Sequence, residues 1–402
     1  MAVRREGTIT DVKGIRAAGV ACGIKPDGRK DLALIVSKVP GPCAGTFTTN
    51  YVKAAPVILT MRRVREQGVA QAIVANSGNA NCCTGERGLK DAREMAKVTA
   101  EALGIPERLV LVCSTGRIGK PLPMTRIRKG IKEAVKALSE GGGLEAAEAI
   151  TTTDTRPKHG SVTIRLPGGR ATIGAICKGA GMIHPNMATM LCFVATDAEL
   201  SRALLQKALS EAVSLTFNRI SVDGDRSTND TVLLLSNGLS GTEPIRGRGE
   251  AGFSKFKGAL TELLSHLAES IVSDGEGATR VVEVIVEGAR GREEAERLAR
   301  SVANSLLVKT ALHGAQPNFG RILAALGYAG VPIRPERVDV WVQGRRAVRR
   351  GEVVVRDEER WQRVLSRDKI VIRCVVGRGK GKARFLTCDI SEEYVRENAG
   401  KE

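Results

Sequence analysis

Short apolar runs alternate with amphipathic stretches along the whole chain. Residues 32–39, 69–75 and 109–113 are rich in Val, Ile and Leu and run into turn-forming residues, as buried strands do. Residues 88–103 carry helical periodicity and end at Gly104, a natural C-terminal cap. Residues 125–140 place Ile127, Ile131, Val135 and Leu138 on one helical face and stop at Gly141-Gly142-Gly143, which reads as the one flexible break. Residues 161–166 and 171–177 form a hairpin across Pro167-Gly168-Gly169. In the second half, residues 190–196, 231–235, 280–286, 338–342 and 369–376 read as strands. Residues 200–215, 252–272, 293–309 and 391–398 read as helices. The pattern predicts a mixed α/β protein with substantial antiparallel pairing and no repeat of fixed period.

Composition narrows this picture. With 42% hydrophobic and 26% charged residues the chain has a globular balance. Its longest apolar runs fall far short of the roughly 20 residues of a membrane helix. The start, Met-Ala-Val-Arg-Arg, has no apolar stretch behind it, so the expectation is a cytoplasmic protein without a secretory signal. Nine cysteines include the adjacent pair Cys82-Cys83 but no C-x-x-C, and four histidines show no ligand spacing. Neither a metal nor a cofactor is expected, and most cysteines read as core filler. The charge, 62 − 44 = +18, could mark a nucleic-acid binder. The basic residues are spread out and only 3% of residues are aromatic, which argues against nucleic acid as a partner. The densest basic runs, residues 345–350 and 377–384, read as solvated turns.

Candidate chemistry lies in loops dense in glycine and small polar residues: 76–81, 114–119, 151–155, 178–190, 223–230 and 274–277. The acidic stretch 223–230 fails as an EF-hand because Thr228 and Leu234 hold the positions that need Gly and Glu. Residues 377–381 are not a dinucleotide-binding loop, and no G-x-S-x-G or H-E-x-x-H occurs. What remains is Thr189, in Pro185-Asn-Met-Ala-Thr-Met-Leu191, at the start of a strand. A threonine hydroxyl becomes a nucleophile when a base removes its proton. The threonine's own α-amine could serve, but only after the Ala188–Thr189 bond is cut. On spacing alone, a hydroxyl capping a strand is the other reading.

The strings themselves go further. Lys178-Gly-Ala-Gly-Met-Ile-His-Pro-Asn-Met-Ala-Thr-Met-Leu191 resembles the signature of the ornithine acetyltransferase family, the glutamate N-acetyltransferases of arginine biosynthesis. The resemblance runs from Gly23-Ile-Lys25 and Ala44–Asn50 through 76–81, 114–119, 217–225, 274–279 and 317–323 to Tyr394–Asn398.

The resemblance implies a self-processing enzyme. Cleavage at Ala188–Thr189 would leave an α chain of residues 1–188 and a β chain of residues 189–402. The implied fold is a four-layer α/β/β/α sandwich of the N-terminal-nucleophile-like type. Thr189 would take the acetyl group of N2-acetyl-L-ornithine as an ester and pass it to L-glutamate. Acetyl-CoA is a further donor in bifunctional members, and assembly as an α2β2 heterotetramer is implied. Thr115 and Gly116 match the oxyanion-hole pair. Thr152 (rather than its neighbour Thr153), Lys178, Thr189, Glu276 and Asn398 match substrate-binding positions. Three features depart from the family: Arg117 in place of an apolar residue, His313 and Gln316 in a loop that usually holds Phe and Asp, and a C-terminus without the usual final threonine. A self-processing amidohydrolase or aminopeptidase of the same fold is the alternative.

Overall fold

A computed structural model of the chain describes residues 2–184 and 190–400. Ala188 and Thr189 therefore lie outside the described residues. The chain folds into two compact units.

The first unit takes described residues from 1–179, 186–218 and 226–271. Its eight-stranded mixed sheet uses β1 (Ile15–Val20), β2 (Leu32–Phe47), β3 (Val69–Asn76), β4 (Val110–Ser114), β5 (Lys158–Leu166), β6 (Gly169–Lys178), β7 (Leu191–Thr196) and β9 (Thr231–Ser236). The order is β4-β3-β2-β9-β7-β6-β5, with β1 added on β2. β2 is longer than its sequence pattern suggested. Its first part pairs with β3 and its last part, Cys43 to Phe47, with β9, the register shifting between Val36 and Gly41.

The apolar runs of this sheet have no polar face because both faces are covered. Leu32, Leu34, Val36, Ala72 and Val74 pack with Met95, Ile127 and Ile131, which lie on the helices Gly85–Leu103 and Met124–Lys136. Ala33, Ile35, Ile73 and Ala75 point the other way, into a cluster with Ala146, Ala147 and Ile150. The helix contributing Ala146 and Ala147, Gly143–Ala149, begins inside the triple glycine. Ala17 and Ser139 exchange backbone hydrogen bonds just before it. That stretch is ordered packing, not the flexible break its composition suggested.

The second unit takes described residues from 180–185, 219–225 and 272–402. Its seven-stranded sheet uses β8 (Ile220–Ser221), β10 (Val281–Ala289), β11 (Asp339–Val342), β12 (Arg345–Arg349), β13 (Glu352–Val353), β14 (Lys369–Val375) and β15 (Gly381–Cys388). The order is β13-β12-β11-β14-β10-β15-β8. Here alternation is strict. Val282, Val284, Val286, Ile370, Ile372 and Phe385 face a core with Leu298, Val302 and Trp361. The interleaved Glu283, Glu287, Arg373 and Arg384 pair with one another. The basic run 345–350 is thus mainly a strand, and 377–384 runs into another; neither is simply a turn. The single helix expected over 293–309 is two, Arg292–Asn304 and Leu306–His313. They break at Ser305, whose extended backbone and hydroxyl cap the second helix through Val308 N.

Two mixed sheets, each with its own helices, agree with the expected α/β class. Among the described residues no helix is long and apolar enough to cross a membrane. Likewise, no cluster of His, Cys, Asp or Glu there could hold a metal ion.

Candidate active site

In the first unit, β4 ends at Ser114 and the loop beyond it carries Thr115 and Gly116. The Thr115 N–H is already used, donating to Asn76 O at 3.0 Å. Among the described residues no hydrogen bond engages the Thr115 hydroxyl or the Gly116 N–H, the first on a buried residue and the second on an exposed one. Gly116 has φ +127°, and a Cβ there would lie 2.4 Å from Gly78 C, so only glycine fits. The neighbouring loop holds this one in place. Asn79 bridges to both Thr115 and Arg117, and Ala80 N donates to Arg117 O at 2.9 Å. Arg117 itself is exposed.

The two residues before β9 tie this loop to the start of β7. Asn229 Nδ2 donates to Ser114 O at 2.8 Å and to Ala80 O at 2.7 Å. The next residue, Asp230, accepts the Met190 N–H at 3.0 Å on Oδ1. Met190 follows Thr189 directly in the chain. Asp230 is fully buried, and among the described residues its Oδ2 has no hydrogen-bond partner. Burial drives its carboxyl well above the usual carboxylate range, against the Met190 N–H and the positive charge of Lys178.

Lys178 ends β6 opposite Leu191 of β7 and is only 2% exposed, where a lone lysine would be expected at the surface. Its ammonium lies 3.9 Å from Asp154 Oδ2, and Lys158 Nζ donates to Asp154 Oδ1 at 2.6 Å. Asp154 also accepts from Gly179 N at 2.7 Å and Thr152 N at 3.0 Å. Burial opposes its ionisation, but the two lysines and these N–H groups outweigh burial and hold its carboxyl at about 2. Asp154 therefore stays ionised and links Thr152 to Lys178.

Glu276 and Asn398 meet in the second unit, Asn398 Nδ2 donating to Glu276 Oε2 at 2.9 Å. A Cβ on Gly181 would fall 2.2 Å from that carboxylate, which explains the glycine in Gly179-Ala-Gly181. Asp223 accepts the N–H groups of Met182, Ile183 and Asp225 at 2.5–3.0 Å. Burial, with the charges of Asp225 and Glu276, raises its carboxyl to about 6 despite the Asp225 and Met182 N–H donors.

Thus Thr115 and Gly116 sit beside the network leading to Met190, Thr152 and Lys178 share one carboxylate, and Glu276 and Asn398 share another. The sequence reading placed Asp154, Asn229 and Asp230 within candidate loops but gave none of them a role. The available signals are an Asp in the threonine run 151–155, and polar residues shortly before the apolar run 232–235.

The family model described as the ArgJ family matches residues 16–401. The arginine biosynthesis bifunctional protein ArgJ of Symbiobacterium thermophilum is 51% identical over 394 residues, covering 98% of each chain. Its Geobacter sulfurreducens namesake is 48% identical over 390 residues, covering 97% of this chain and 99% of the relative. Among solved structures, ornithine acetyltransferase from Mycobacterium tuberculosis, complexed with ornithine, is 42% identical. It covers 46% of this chain and 97% of that one, with a TM-score of 0.44.

Proposed function

The chain belongs to the ArgJ family, and from that premise we propose that it is an arginine-biosynthesis acetyltransferase acting through Thr189. It moves the acetyl group of N2-acetyl-L-ornithine to L-glutamate. In this reading the Ala188–Thr189 bond is first cut within the chain, giving fragments 1–188 and 189–402 and a free α-amine on Thr189. That amine takes the Thr189 hydroxyl proton as the oxygen attacks the acetyl carbonyl. The Thr115 hydroxyl and Gly116 N–H hold the resulting oxyanion. The C–N bond then breaks, ornithine leaves with the proton, and an acetyl ester stays on Thr189. The α-amine of glutamate attacks that ester through the same oxyanion and restores the hydroxyl.

Lys178, set beside Asp154, pairs with the α-carboxylate common to both amino acids, and Thr152 binds beside it. Glu276, oriented by Asn398, receives the amine of ornithine. Acetyl-CoA serves as a second donor, in keeping with the bifunctional name of the relatives, and the processed fragments assemble as α2β2.

The observation that carries this reading is the pair of unengaged donors at Thr115 and Gly116. They are linked through Ser114, Asn229 and Asp230 to the amide directly after Thr189. The test is N-terminal sequencing of the purified protein together with an acetyl-transfer assay. Two fragments, one beginning at Thr189, and an uncleaved, inactive Thr189→Ala variant are expected. Cleavage of Thr189→Ala at the same bond would overturn the mechanism. Acetate release in place of N-acetylglutamate would point to the amidohydrolase.

A further inference from the structure

The loop that supports the oxyanion donors carries two adjacent thiols. Cys82 is fully buried, packed against Ala54, Val57 and Ala80, whereas Cys83 is exposed. Their sulfurs lie 3.7 Å apart. The backbone here is unusual. Asn81 and Cys83, neither of them glycine, have φ of +46° and +57°. The carbonyl of Cys82 accepts the N–H of Gly119 at 3.0 Å and so closes the 115–119 loop from its far side. Two residues earlier, Ala80 holds Arg117 O with its N–H and Asn229 Nδ2 with its carbonyl.

We propose that Cys82 and Cys83 are a peroxide-sensitive modification site, and that closing them into a vicinal disulfide disarms the Thr115–Gly116 loop. The exposed Cys83 thiol reacts first. Its sulfur attacks one peroxide oxygen, the O–O bond breaks, and water leaves a sulfenic acid. The Cys82 sulfur then attacks the Cys83 sulfur. The S–O bond breaks, and a second water carries away the hydroxyl and the Cys82 proton. Two thiols and one peroxide thus become one disulfide and two waters. Burial raises the Cys82 thiol's pKa and shields its sulfur, which leaves the exposed Cys83 as the thiol that meets peroxide first.

The effect on the loop follows from geometry. Disulfide-linked residues usually have Cα atoms about 4.4–6.8 Å apart, while adjacent residues are held at about 3.8 Å. Closure must therefore twist the peptide between the two cysteines. That peptide carries the Cys82 carbonyl, so the tie to Gly119 is lost and the donor loop loosens. A disulfide strained in this way is readily reduced, as befits a reversible switch.

The test treats the full chain with hydrogen peroxide, alkylates free thiols under denaturing conditions and weighs the peptides. Untreated protein should take two alkyl groups on the Cys82–Cys83 peptide. Oxidised protein should take none there and be lighter by two hydrogens, and dithiothreitol should reverse this. Amide exchange over residues 114–119 should speed up in the oxidised form. The activity arm rests on the acetyltransferase reading, and there the rate should fall roughly tenfold or more and recover on reduction. Cys83→Ala should resist the inactivation. Cys82→Ala should instead accumulate a sulfenic acid that dimedone traps.

The mass and exchange readouts need no activity, so failure of the functional reading would not be mistaken for failure of the switch. Both thiols remaining alkylatable after peroxide would overturn the proposal. So would a disulfide that leaves exchange over 114–119 unchanged, or a Cys83→Ala variant inactivated as reversibly as the parent.

Discussion

Charged residues are paired in both units, but in opposite physical settings. In the first unit Asp154, Lys158 and Lys178 are within 2% of complete side-chain burial. In the second, Glu283 pairs with Arg384 and Glu287 with Arg373 and Lys382, on strands whose basic partners are 45–64% exposed. Water stabilises the second set whether or not the pairs form, so those pairs add little. The first set has no water to fall back on. Burying three charges costs more than an apolar core of the same volume, and such a cluster is weak evidence for stability alone. It makes sense where a fixed cation is needed away from solvent, which is the role proposed for Lys178. The comparison also disposes of the net charge. Most of the arginines and lysines behind the +18 are of the exposed kind, and the role proposed for Lys178 rests on the buried cluster.

The sharpest way to break this contrast is Asp154→Ala, which removes the carboxylate that both buried ammonium groups approach. Denaturant unfolding should show a loss of about 3–5 kcal/mol. Acetyl transfer should also collapse under conditions where the variant remains folded. A loss below about 1 kcal/mol would mean that the cluster is hydrated and the contrast false. Lys178→Met comes next. It leaves Asp154 paired with Lys158, so the stability change should stay within about 1–3 kcal/mol. Its activity should fall by roughly 100-fold or more, as expected when a charged contact to the transition state is removed. Equal, small losses of stability and activity would make Lys178 structural.

How far the sequence reveals this arrangement depends on the kind of residue. Sheet strands such as 69–76 and 191–196 were legible because burial on both faces leaves an uninterrupted apolar run. The break at Ser305 is hidden in the sequence because Leu306 continues the apolar spacing of 295, 298 and 302, although it is exposed in the second helix. The basic strand 345–349 was misread because only Ala347 and Val348 are buried, and three arginines mask the alternation. The expectation for Thr115, Gly116, Lys178, Glu276 and Asn398 rests on whole motifs, not on local physics. Asn229 and Asp230 hydrogen-bond groups far away in the chain, as Asp154 does with Gly179, and no periodicity encodes that.

Acid titration separates the two settings by a smaller margin. Asp154 has a folded-state pKa of about 2 against an ordinary value of 3.8. Its depressed pKa contributes stability that is fully present above pH 4 and is lost as pH falls through about 2. The size is on the order of 2 kcal/mol. Asp154→Asn should flatten the unfolding profile across that window, and an unchanged slope would remove Asp154 from the list of buried ions.

The smallest effect belongs to the exposed ladder. Glu287 is also held below its usual range, first by its hydrogen bonds to Lys382 and Arg373 and against a modest cost of burial. The same carboxylate is open to solvent and salt. Glu287→Gln should therefore cost no more than about 1 kcal/mol at low ionic strength, and less as salt is raised to about 1 M, where the screening length falls to about 3 Å. Asp154 variants, buried beyond the reach of counterions, should show no such salt dependence. If Glu287→Gln proved as costly as Asp154→Ala and as indifferent to salt, the two sets of charges would be in the same environment and the distinction between them would fail.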